Sequence, residues 1–430
     1  MKTKNKTLAM LEIAIVLCSV FLVALPVIAT DKTTQKVSTS EVTIASEDDF
    51  VLGIYGNANE DDTIDMRDVT YTKLVIFGKK PETELADAYY DDEVDVLDVV
   101  QIKLIILGRE SELTVVDSTD QIVTVNIPVE RIVAAGGSYG PEAVLALGAK
   151  DKLVGVADYA KKRADLELLL EDVPGVGRSS SPDAETILSL NPDLVQGYAL
   201  YDLSDLREVL EDAGIPLVQF DFHRPEKYIE EIIPMGIILD KEERAEELIN
   251  FEQKYLGIIE ERVDDLEEEQ KPQVYMECYH DYEAIGLGTS DHDVLIFCGG
   301  INIFDDIEGT VEVDPEEVID RNPQVIIKQV NKWTLPEMGY GEGTIGPIEE
   351  FRDAILSRPA WDSTDAVTDG RVYLLTTDAK STHASIYYLY IAKWLHPELF
   401  EDIYPVEIHS EWLETFLGIE FKGVYGYPLL

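Results

Sequence analysis

The 430-residue chain contains only three cysteines, and no two of them have the CxxC spacing. A disulfide scaffold and a cysteine-rich zinc module are therefore excluded, because both need closely spaced cysteines. Basic residues are also scarce: 35 Lys and Arg stand against 85 Asp and Glu, which gives a formal charge of −50. Nucleic acids and anionic membranes are bound by clusters of Lys and Arg, so neither is an expected partner.

Long apolar runs are confined to the N-terminus. Three lysines precede an apolar run from Ile13 to Val23, and the small-residue sequence Val27-Ile28-Ala29 follows. This pattern predicts a secretory signal over residues 1–29 and an extracytoplasmic, cell-surface-associated protein. An uncleaved N-terminal anchor is the alternative, although the run is slightly short for a span of about 20 residues. Residues 30–47 are rich in Thr, Ser and Lys and predict a flexible linker.

Residues 48–111 contain a repeat with a period of thirty residues. In each copy, oxygen-bearing side chains occupy most of positions 1, 3, 5, 9 and 12 of a twelve-residue loop, and an aliphatic residue occupies position 8. The loop residues are Asn57, Asn59, Asp61, Asp65 and Asp68 in the first copy, and Asp87, Asp91, Asp95 and Asp98 in the second. A hard cation takes six to eight oxygens, so this spacing predicts a Ca²⁺ site in each loop.

This pair of loops, each leading into an apolar helix, resembles a dockerin, a small all-α, EF-hand-like calcium module. The resemblance implies a cohesin-like domain as partner. The sequence departs from the family at position 6, where Asp62 and Asp92 replace glycine, and at position 3 of the second loop, where Tyr89 stands. A non-glycine residue must then take the sharp turn, which Asp does at some cost.

Beyond the repeat, short aliphatic strands alternate with helices. This alternation predicts an α/β fold with parallel sheets covered on both faces. We expect a first lobe over residues 112–235 and a second over 272–430. Between them, residues 236–271 include an acidic segment from Lys241 to Gln270 with apolar residues along one face. It predicts one bridging helix about 45 Å long.

The two halves also match each other without a gap. The segment from Glu185 to Val195 aligns with the segment from Glu316 to Ile326, and both contain an Asn-Pro pair between a helical and a strand pattern. Further strings occur in a fixed order, namely Glu130–Ser138, Leu145–Ala149, Ala213–Pro216, Gly299–Phe304, Arg358–Trp361 and Ala366–Tyr373.

Together, these strings resemble the substrate-binding proteins of ABC importers for iron complexes and cobalamin, whose two α/β lobes are joined by one long helix. The resemblance implies that the protein captures haem, a ferric siderophore or cobalamin between its lobes and delivers it to a membrane permease.

Open parallel sheets place their ligands at the carboxyl ends of the strands. Tyrosine is frequent in the loops predicted there, and its amphipathic ring suits a flat macrocycle or a bulky chelate. The candidate ligand-binding residues are Ser138, Tyr139, Tyr159, Tyr198, Tyr201, Tyr279, His280, Tyr282 and Trp333. His280 is a candidate metal ligand, with Tyr279, Tyr282 and His383 as competitors and ordinary structural hydrogen bonding as the alternative.

The resemblance also implies acidic residues that dock onto the permease. The candidates are Asp202 or Asp205 in the first lobe and Asp291 or Asp293 in the second. Acidic side chains near helix starts also cap the helix, so a structural role is the alternative.

Two other functions are open. Gly136-Gly137-Ser138-Tyr139-Gly140 fits the G-x-S-x-G pattern of a serine hydrolase, although no oxyanion string of the His-Gly-Gly type precedes it. A cell-surface adhesion or scaffold protein would instead act through the dockerin-like module and use the lobes as a spacer. We expect a binding protein and no enzyme.

Overall fold

The computed structural model describes residues 50–341 and 343–428, which all belong to one compact unit. The predicted signal, anchor and linker lie outside these residues. Within the described ranges, no helix combines the length and the apolar character that crossing a membrane requires.

The repeat forms two copies of one loop–helix unit. Helices α1 (Met66–Ile76) and α2 (Val96–Ile106) each begin at an aspartate whose side chain accepts a backbone N–H of the first turn. In both copies a second aspartate, Asp68 or Asp98, accepts the backbone N–H of that capping residue, which completes a capping box. Val69 and Val99 occupy equivalent places in a small core of the module's own.

An antiparallel hairpin follows and consists of β1 (Glu112–Val116) and β2 (Ile122–Asn126). The first lobe contains a four-stranded parallel sheet in the order β4 (Leu153–Val156), β3 (Ile132–Ala134), β7 (Leu194–Gly197) and β8 (Leu217–Gln219). Its elements are β3 (Ile132–Ala134), α3 (Tyr139–Ala146), β4 (Leu153–Val156), α4 (Ala164–Glu167), a small antiparallel pair β5 (Gly177–Arg178) and β6 (Ser181–Pro182), α5 (Ala184–Leu190), β7 (Leu194–Gly197), α6 (Ser204–Asp212) and β8 (Leu217–Gln219).

Two helices connect the lobes, where the sequence predicted one. Helix α7 (Pro225–Leu239) ends at Asp240, which is left-handed with φ 58°, and α8 (Glu242–Val263) follows. The expectation of a thirty-residue helix is wrong: α8 has 22 residues and is about 33 Å long. Asp264, Asp265 and Glu267 come after Val263, and negative charges at a helix C-terminus oppose its dipole, which favours the early end.

The second lobe contains a seven-stranded mixed sheet. Its strands are β9 (Gln273–Glu277), β10 (Glu283–Ile285), β11 (Ile301–Asn302), β12 (Thr310–Glu312), β13 (Val325–Val330), β14 (Val372–Thr376) and β15 (Gly426–Tyr427). Strands β9, β11, β13 and β14 are parallel, whereas β10, β12 and β15 pair antiparallel with their neighbours. The prediction of a parallel sheet is therefore confirmed for the central strands, whereas the outer strands β10, β12 and β15 are antiparallel.

Six helices accompany this sheet: α9 (Ser290–Phe297), α10 (Pro315–Arg321), α11 (Ile345–Leu356), α12 (Asp365–Thr368), α13 (Ala384–Leu395) and α14 (Pro405–Trp412). Helix α13 is buried at eleven of its twelve residues. The thiols of Cys278 and Cys298 are free.

Each sheet separates two apolar cores because successive side chains of a strand point to opposite faces. In β13, Ile327 belongs to a large core that both lobes share with α7, α8 and α13, whereas Ile326 belongs to a core of the second lobe alone. In β3, Ile132 faces the same shared core, and Val133 faces the first lobe's own. The lobes are thus separate sheets on a common apolar base.

The internal match between the halves is confirmed. Helices α5 and α10 both end at an asparagine in the left-handed conformation, Asn191 with φ 47° and Asn322 with φ 43°, and the next strand begins three residues later. Asn adopts this conformation at low cost, and the following proline prevents the helix from continuing.

Candidate functional site

The loops at the carboxyl ends of the two sheets face each other. In the first lobe they follow β3, β4, β7 and β8, and in the second they follow β9, β13 and β14. Two contacts join them directly: the Arg163 guanidinium donates to the Ser381 hydroxyl, and Lys332 Nζ donates to the Lys162 carbonyl at 3.0 Å. We call the region between these two sets of loops the inter-lobe crevice.

Aromatic rings cluster on the first-lobe side of the crevice. Tyr139 stacks on His223, with ring centroids 4.5 Å apart and an interplanar angle of 17°. Tyr198 lies 5.8 Å from both of these rings, and Tyr201 makes an edge contact with Tyr198 at 5.6 Å. Three residues predicted from sequence, Tyr139, Tyr198 and Tyr201, are therefore neighbours.

His223 is part of this cluster and was missed in the sequence. Its position directly after the fourth strand of the first lobe is the signal that would have found it. Burial lowers the pKa of His223, so the imidazole is neutral near pH 7. Its Nδ1 lies 3.3 Å from the Asp221 carbonyl. Because a carbonyl only accepts, the proton lies on Nδ1 and the Nε2 lone pair is available to a ligand.

Burial also keeps the tyrosines of the crevice protonated. It raises the pKa of Tyr139 and Tyr198 well above the ordinary value, and that of Tyr279 to about 12. Neutral phenols donate hydrogen bonds. The crevice therefore presents O–H donors and aromatic faces together.

The second-lobe side is more polar. Lys380 Nζ donates to Ser290 Oγ at 2.8 Å and pairs with Asp291 at 3.2 Å. Tyr387 Oη accepts from Gln329 at 2.7 Å. Gln329 lies near the end of β13, and Lys380 lies in the loop that follows β14.

The remaining predicted ligand residues are dispersed. Tyr159 is 45 % exposed and lies beneath the Lys332 ammonium, 5.0 Å from ring centroid to Nζ, while Trp333 is 73 % exposed. His280 is exposed, and its backbone carbonyl accepts from Lys328. Tyr282 packs instead against Trp361 and the Arg358 guanidinium, at the second lobe's own core.

A buried ion cluster joins the two lobes beside the crevice. Arg163 Nη1 donates to Glu142 at 2.8 Å and its Nε donates to Asp165 at 3.0 Å. Ser381 of the second lobe contacts both Arg163 and Glu142, and His383 lies 3.7 Å from Glu142. Burial lowers the pKa of His383 to about 3 and raises that of Glu142 to about 7. His383 is therefore neutral and enclosed, so it does not face the crevice.

The four candidate docking residues differ in their surroundings. Asp202 is exposed and accepts the Ser204 N–H at 3.0 Å, which lowers its pKa, and Asp205 is also exposed. Asp202 and Tyr201 line a cavity of about 340 Å³ on the first lobe. Asp291 is engaged by Lys380 in the crevice, and Asp293 is half-buried.

In the first loop of the repeat, the chain itself occupies the predicted ligand oxygens. Asp61 pairs with Arg67 at 3.0 Å and accepts from Asn59 at 2.6 Å, and Asp65 also pairs with Arg67. Asp68 accepts two backbone N–H groups. Asn57 is buried and donates to the backbone of Leu52 and Asp61.

In the second loop, Asp87, Asp91, Asp95 and Asp98 all accept backbone N–H groups. Asp92 takes the expected left-handed turn, with φ 68°, whereas its counterpart Asp62 does not; Glu60 and Tyr90, two residues earlier in each loop, are left-handed in both copies. Within residues 50–341 and 343–428, no group of three His, Cys, Asp or Glu side chains is arranged to hold a metal ion.

The hydrolase pattern does not form a nucleophile elbow. Ser138 has φ −95° and ψ −22°, an ordinary helical conformation, whereas an elbow holds its serine in a strained turn. Ser138 is buried, and its hydroxyl forms no hydrogen bond with a histidine in the described part of the chain. The catalytic arrangement around Ser138 is therefore not assembled there.

A family model described as "Periplasmic binding protein" matches residues 133–379, more than half of the chain. Solved structures share the fold at low identity. FepB from Veillonella parvula, described as TroA-like, is 23 % identical and aligns with 74 % of this chain and 99 % of its own at a TM-score of 0.64. MolA from Haemophilus influenzae, solved with molybdate, is 21 % identical, with coverages of 72 % and 99 % and a TM-score of 0.58.

CeuE from Helicobacter pylori, solved in a nickel–histidine complex, is 21 % identical and aligns with 72 % of this chain and 96 % of its own at a TM-score of 0.54. No curated protein matches the chain significantly. The family match includes the first lobe's sheet from Val133 onward, the two connecting helices and every strand of the second sheet except β15, and on this evidence the chain belongs to the periplasmic binding protein family.

Proposed function

We propose that this protein is the extracytoplasmic substrate-binding component of an ABC importer. It captures a small metal complex, namely haem, a ferric siderophore or cobalamin, between its lobes and delivers it to a membrane permease. The observation that carries the proposal is the inter-lobe crevice, where the carboxyl-end loops of two separate sheets face each other in a chain of the periplasmic binding protein family.

The composition of the crevice supports a bulky, partly aromatic ligand. The stacked rings of Tyr139 and His223, with Tyr198 and Tyr201 beside them, offer a large apolar contact area with polar tips. Such rings lose little conformational entropy on binding. Two structural relatives were solved with metal-containing ligands, molybdate in MolA and nickel–histidine in CeuE, and this favours a metal complex here as well.

For the permease, the exposed Asp202 and Asp205 of the first lobe are the better placed candidates. An exposed carboxylate without an ion pair can meet a basic socket without losing a cation, whereas Asp291 would have to leave Lys380. Asp293 is then the second-lobe candidate.

The repeat at the N-terminal side is proposed to be a dockerin-like calcium module with a cohesin-like partner at the cell surface. Its donor set suits a hard cation because it consists of carboxylate and amide oxygens. Asn57, Asn59, Asp61, Asp65 and Asp68 would hold the first ion, after release of Arg67 from Asp61 and Asp65. Asp87, Asp91, Asp95 and Asp98 would hold the second, and Tyr89 makes that loop poorer in donors.

Thermal unfolding of the purified exported form tests the transport proposal. A ligand at a hundred times its Kd adds about 2.7 kcal/mol to the free energy of unfolding. We expect haem, cobalamin or a ferric chelate to raise the melting temperature, and the visible absorption spectrum to identify any co-purified ligand. Replacing Tyr139 with Ala should abolish the shift.

Tyr404→Ala is the matched control. Tyr404 is exposed and lies beside Lys393 near the C-terminal end of α13, about 14 Å along the helix from Ala384 at its N-terminal end. If no ligand of these classes shifts the melting temperature, the scaffold function acting through the repeat module becomes the better explanation.

A further inference from the structure

Three cations around the crevice, Lys380, Arg224 and Arg163, are neutralised by carboxylates of the chain itself. Lys380 pairs with Asp291 at 3.2 Å, and Arg224 pairs with Asp221 in the loop after β8. Asp221 and Arg224 both lie in the loop after β8, whereas Lys380 lies in the loop after β14 and Asp291 in the first turn of α9. Neither cation is left over to balance the charge of a ligand.

The positive charge of the buried Arg163 guanidinium is also neutralised by carboxylates of the chain. Arg163 is buried and donates to two carboxylates, Glu142 and Asp165. Even with Glu142 protonated, Asp165 still balances the guanidinium charge. Arg163 therefore contributes no net positive charge to the crevice.

Lys162, in the loop after β4, is exposed and forms no ion pair among the residues described. Lys332 likewise has no carboxylate within ion-pair distance in the described ranges. Its ammonium donates to the Lys162 carbonyl and lies 5.0 Å from the ring centroids of both Tyr159 and Trp333. These contacts fix the position of the Lys332 ammonium between the lobes but do not neutralise its charge.

In the part of the chain that the structure describes, carboxylate oxygens without a partner are also present around the crevice, beside the tyrosine O–H donors and the unpartnered Nε of Arg224. Asp378, in the loop after β14, is half-buried, and its carboxylate accepts no hydrogen bond and forms no ion pair among the residues described. It packs against Gly339, where an added Cβ would lie 2.6 Å from its Oδ2. Burial raises the pKa of Asp378, while Arg163 and Lys332 lower it. Asp221 Oδ1 is likewise buried without a partner.

From this charge distribution, and resting on the proposed function, we infer that the crevice selects metal complexes of zero or positive net charge with N–H or O–H groups on their surface, and disfavours polyanionic complexes. A polyanion needs unpaired Arg or Lys groups to replace its lost hydration. Here the unpaired cations of the loops are single lysines such as Lys162 and Lys332, too few for a trianion, and the unpartnered carboxylate of Asp378 adds repulsion in a chain whose formal charge is −50. A neutral complex avoids both penalties and supplies donors for the free acceptors.

Two ferric complexes built on the same spacer test this inference: a neutral trishydroxamate and a trianionic tris-catecholate. Titration of the full-length protein, followed by the quenching of its tyrosine and tryptophan fluorescence, gives both dissociation constants. We expect the neutral complex to bind at least about tenfold more tightly, which corresponds to about 1.4 kcal/mol. Asp378→Asn should reduce the ratio of the two dissociation constants by about threefold or more.

Asp362→Asn is the matched control because it removes the same charge from an exposed turn at the opposite end of β14. Equal narrowing by both variants would assign the preference to overall charge and overturn the role of the crevice. Tighter binding of the trianionic complex would overturn the inference and leave the transport proposal intact. Failure of both complexes, haem and cobalamin to bind would overturn the transport proposal itself.

Discussion

The two lobes share a local unit but use buried charge differently. Each contains a short helix, a left-handed asparagine and a central parallel strand. In the second lobe, Lys328 and Arg358 both pair with Glu277, at 3.2 and 2.9 Å, and all three belong to that lobe. In the first lobe, the buried Arg163 reaches across to Ser381 of the other lobe.

This difference teaches that buried ion clusters serve two purposes in one molecule. The cluster around Glu277 ties β9, β13 and the Arg358 turn together, and therefore contributes to the stability of a single sheet. The cluster around Arg163 connects two sheets that share no strand, and therefore contributes to their relative arrangement. Substitutions in the two clusters should accordingly have different signatures.

The largest effect is expected for Lys328→Met. Lys328 is fully buried, and its removal leaves Glu277 with one cation fewer in an apolar interior. Breaking a buried pair on one side costs about 3 to 5 kcal/mol, so we expect a loss of about 3 kcal/mol in urea unfolding. Lys271→Met, at a half-buried lysine, should stay within about 0.5 kcal/mol, and an equal effect of both would refute the ranking.

Arg163→Met should also destabilise the protein, by about 3 kcal/mol, but with a second signature. Because Arg163 contacts both lobes, we expect the single unfolding transition to broaden or split and the radius of gyration to increase in small-angle scattering. A double-mutant cycle with Glu142→Gln should show coupling of about 1 kcal/mol or more. An unchanged transition would contradict a connecting role for this cluster.

The third prediction compares how two buried carboxyl groups, Glu252 and Glu231, make the free energy of unfolding depend on pH. Glu252 of α8 accepts the Ser385 N–H and hydroxyl at 2.9 and 3.0 Å, and burial raises its pKa from 4.5 to about 8. A raised pKa in the folded state stabilises the fold below pH 4.5, and this contribution is lost as the pH rises to about 8. The free energy of unfolding should therefore fall by at most about 1.4 kcal/mol per pH unit over this range, and Glu252→Gln should remove this slope.

Glu231 of the first lobe is the comparison for this experiment. Burial raises its pKa to about 7, so Glu231→Gln should remove a similar slope that ends about one pH unit earlier. Urea unfolding at a series of pH values measures both. A parallel shift of the whole stability curve, without a change in slope, would contradict the assignment.

The smallest expected change in stability is at Asn191 and Asn322, the two left-handed asparagines that end α5 and α10. Glycine tolerates the left-handed conformation, so Asn191→Gly should change stability by less than about 0.5 kcal/mol. Asn322 also accepts the Asp365 N–H through its side chain at 2.9 Å, so Asn322→Gly should cost about 1 kcal/mol. Equal values in thermal unfolding would show that this hydrogen bond contributes nothing.

Local elements could be predicted from the sequence because their signals are local. The central strands of both sheets, the hairpin and the Asn-Pro breaks all lie where periodicity and proline indicate. The end of α8 at Val263 could not be read from apolar periodicity, because the apolar pattern continues while the acidic run ends the helix. The antiparallel margins of the second sheet were missed because pairing direction depends on how distant segments return to the sheet.

The candidate site was predicted in part for the same reason. Tyr139 and Tyr198 follow predicted strands, and the carboxyl-end rule brought them together correctly. The same rule placed Tyr282 in the crevice, but its left-handed backbone, with φ 62°, directs the ring toward Trp361. The pairing of Arg163 with Ser381, 218 residues away, has no local signal at all.

By itself, the sequence determined the thirty-residue repeat, the two α/β halves and the excess of acidic charge, because spacing, periodicity and composition are properties of the linear chain. Only the tertiary structure decided which charges cancel, which carboxylate is left without a partner and which rings stack around the crevice. Those outcomes depend on distances of a few ångströms between side chains that are far apart in sequence. These distances matter because burial raises the free-energy cost of every unpaired charge.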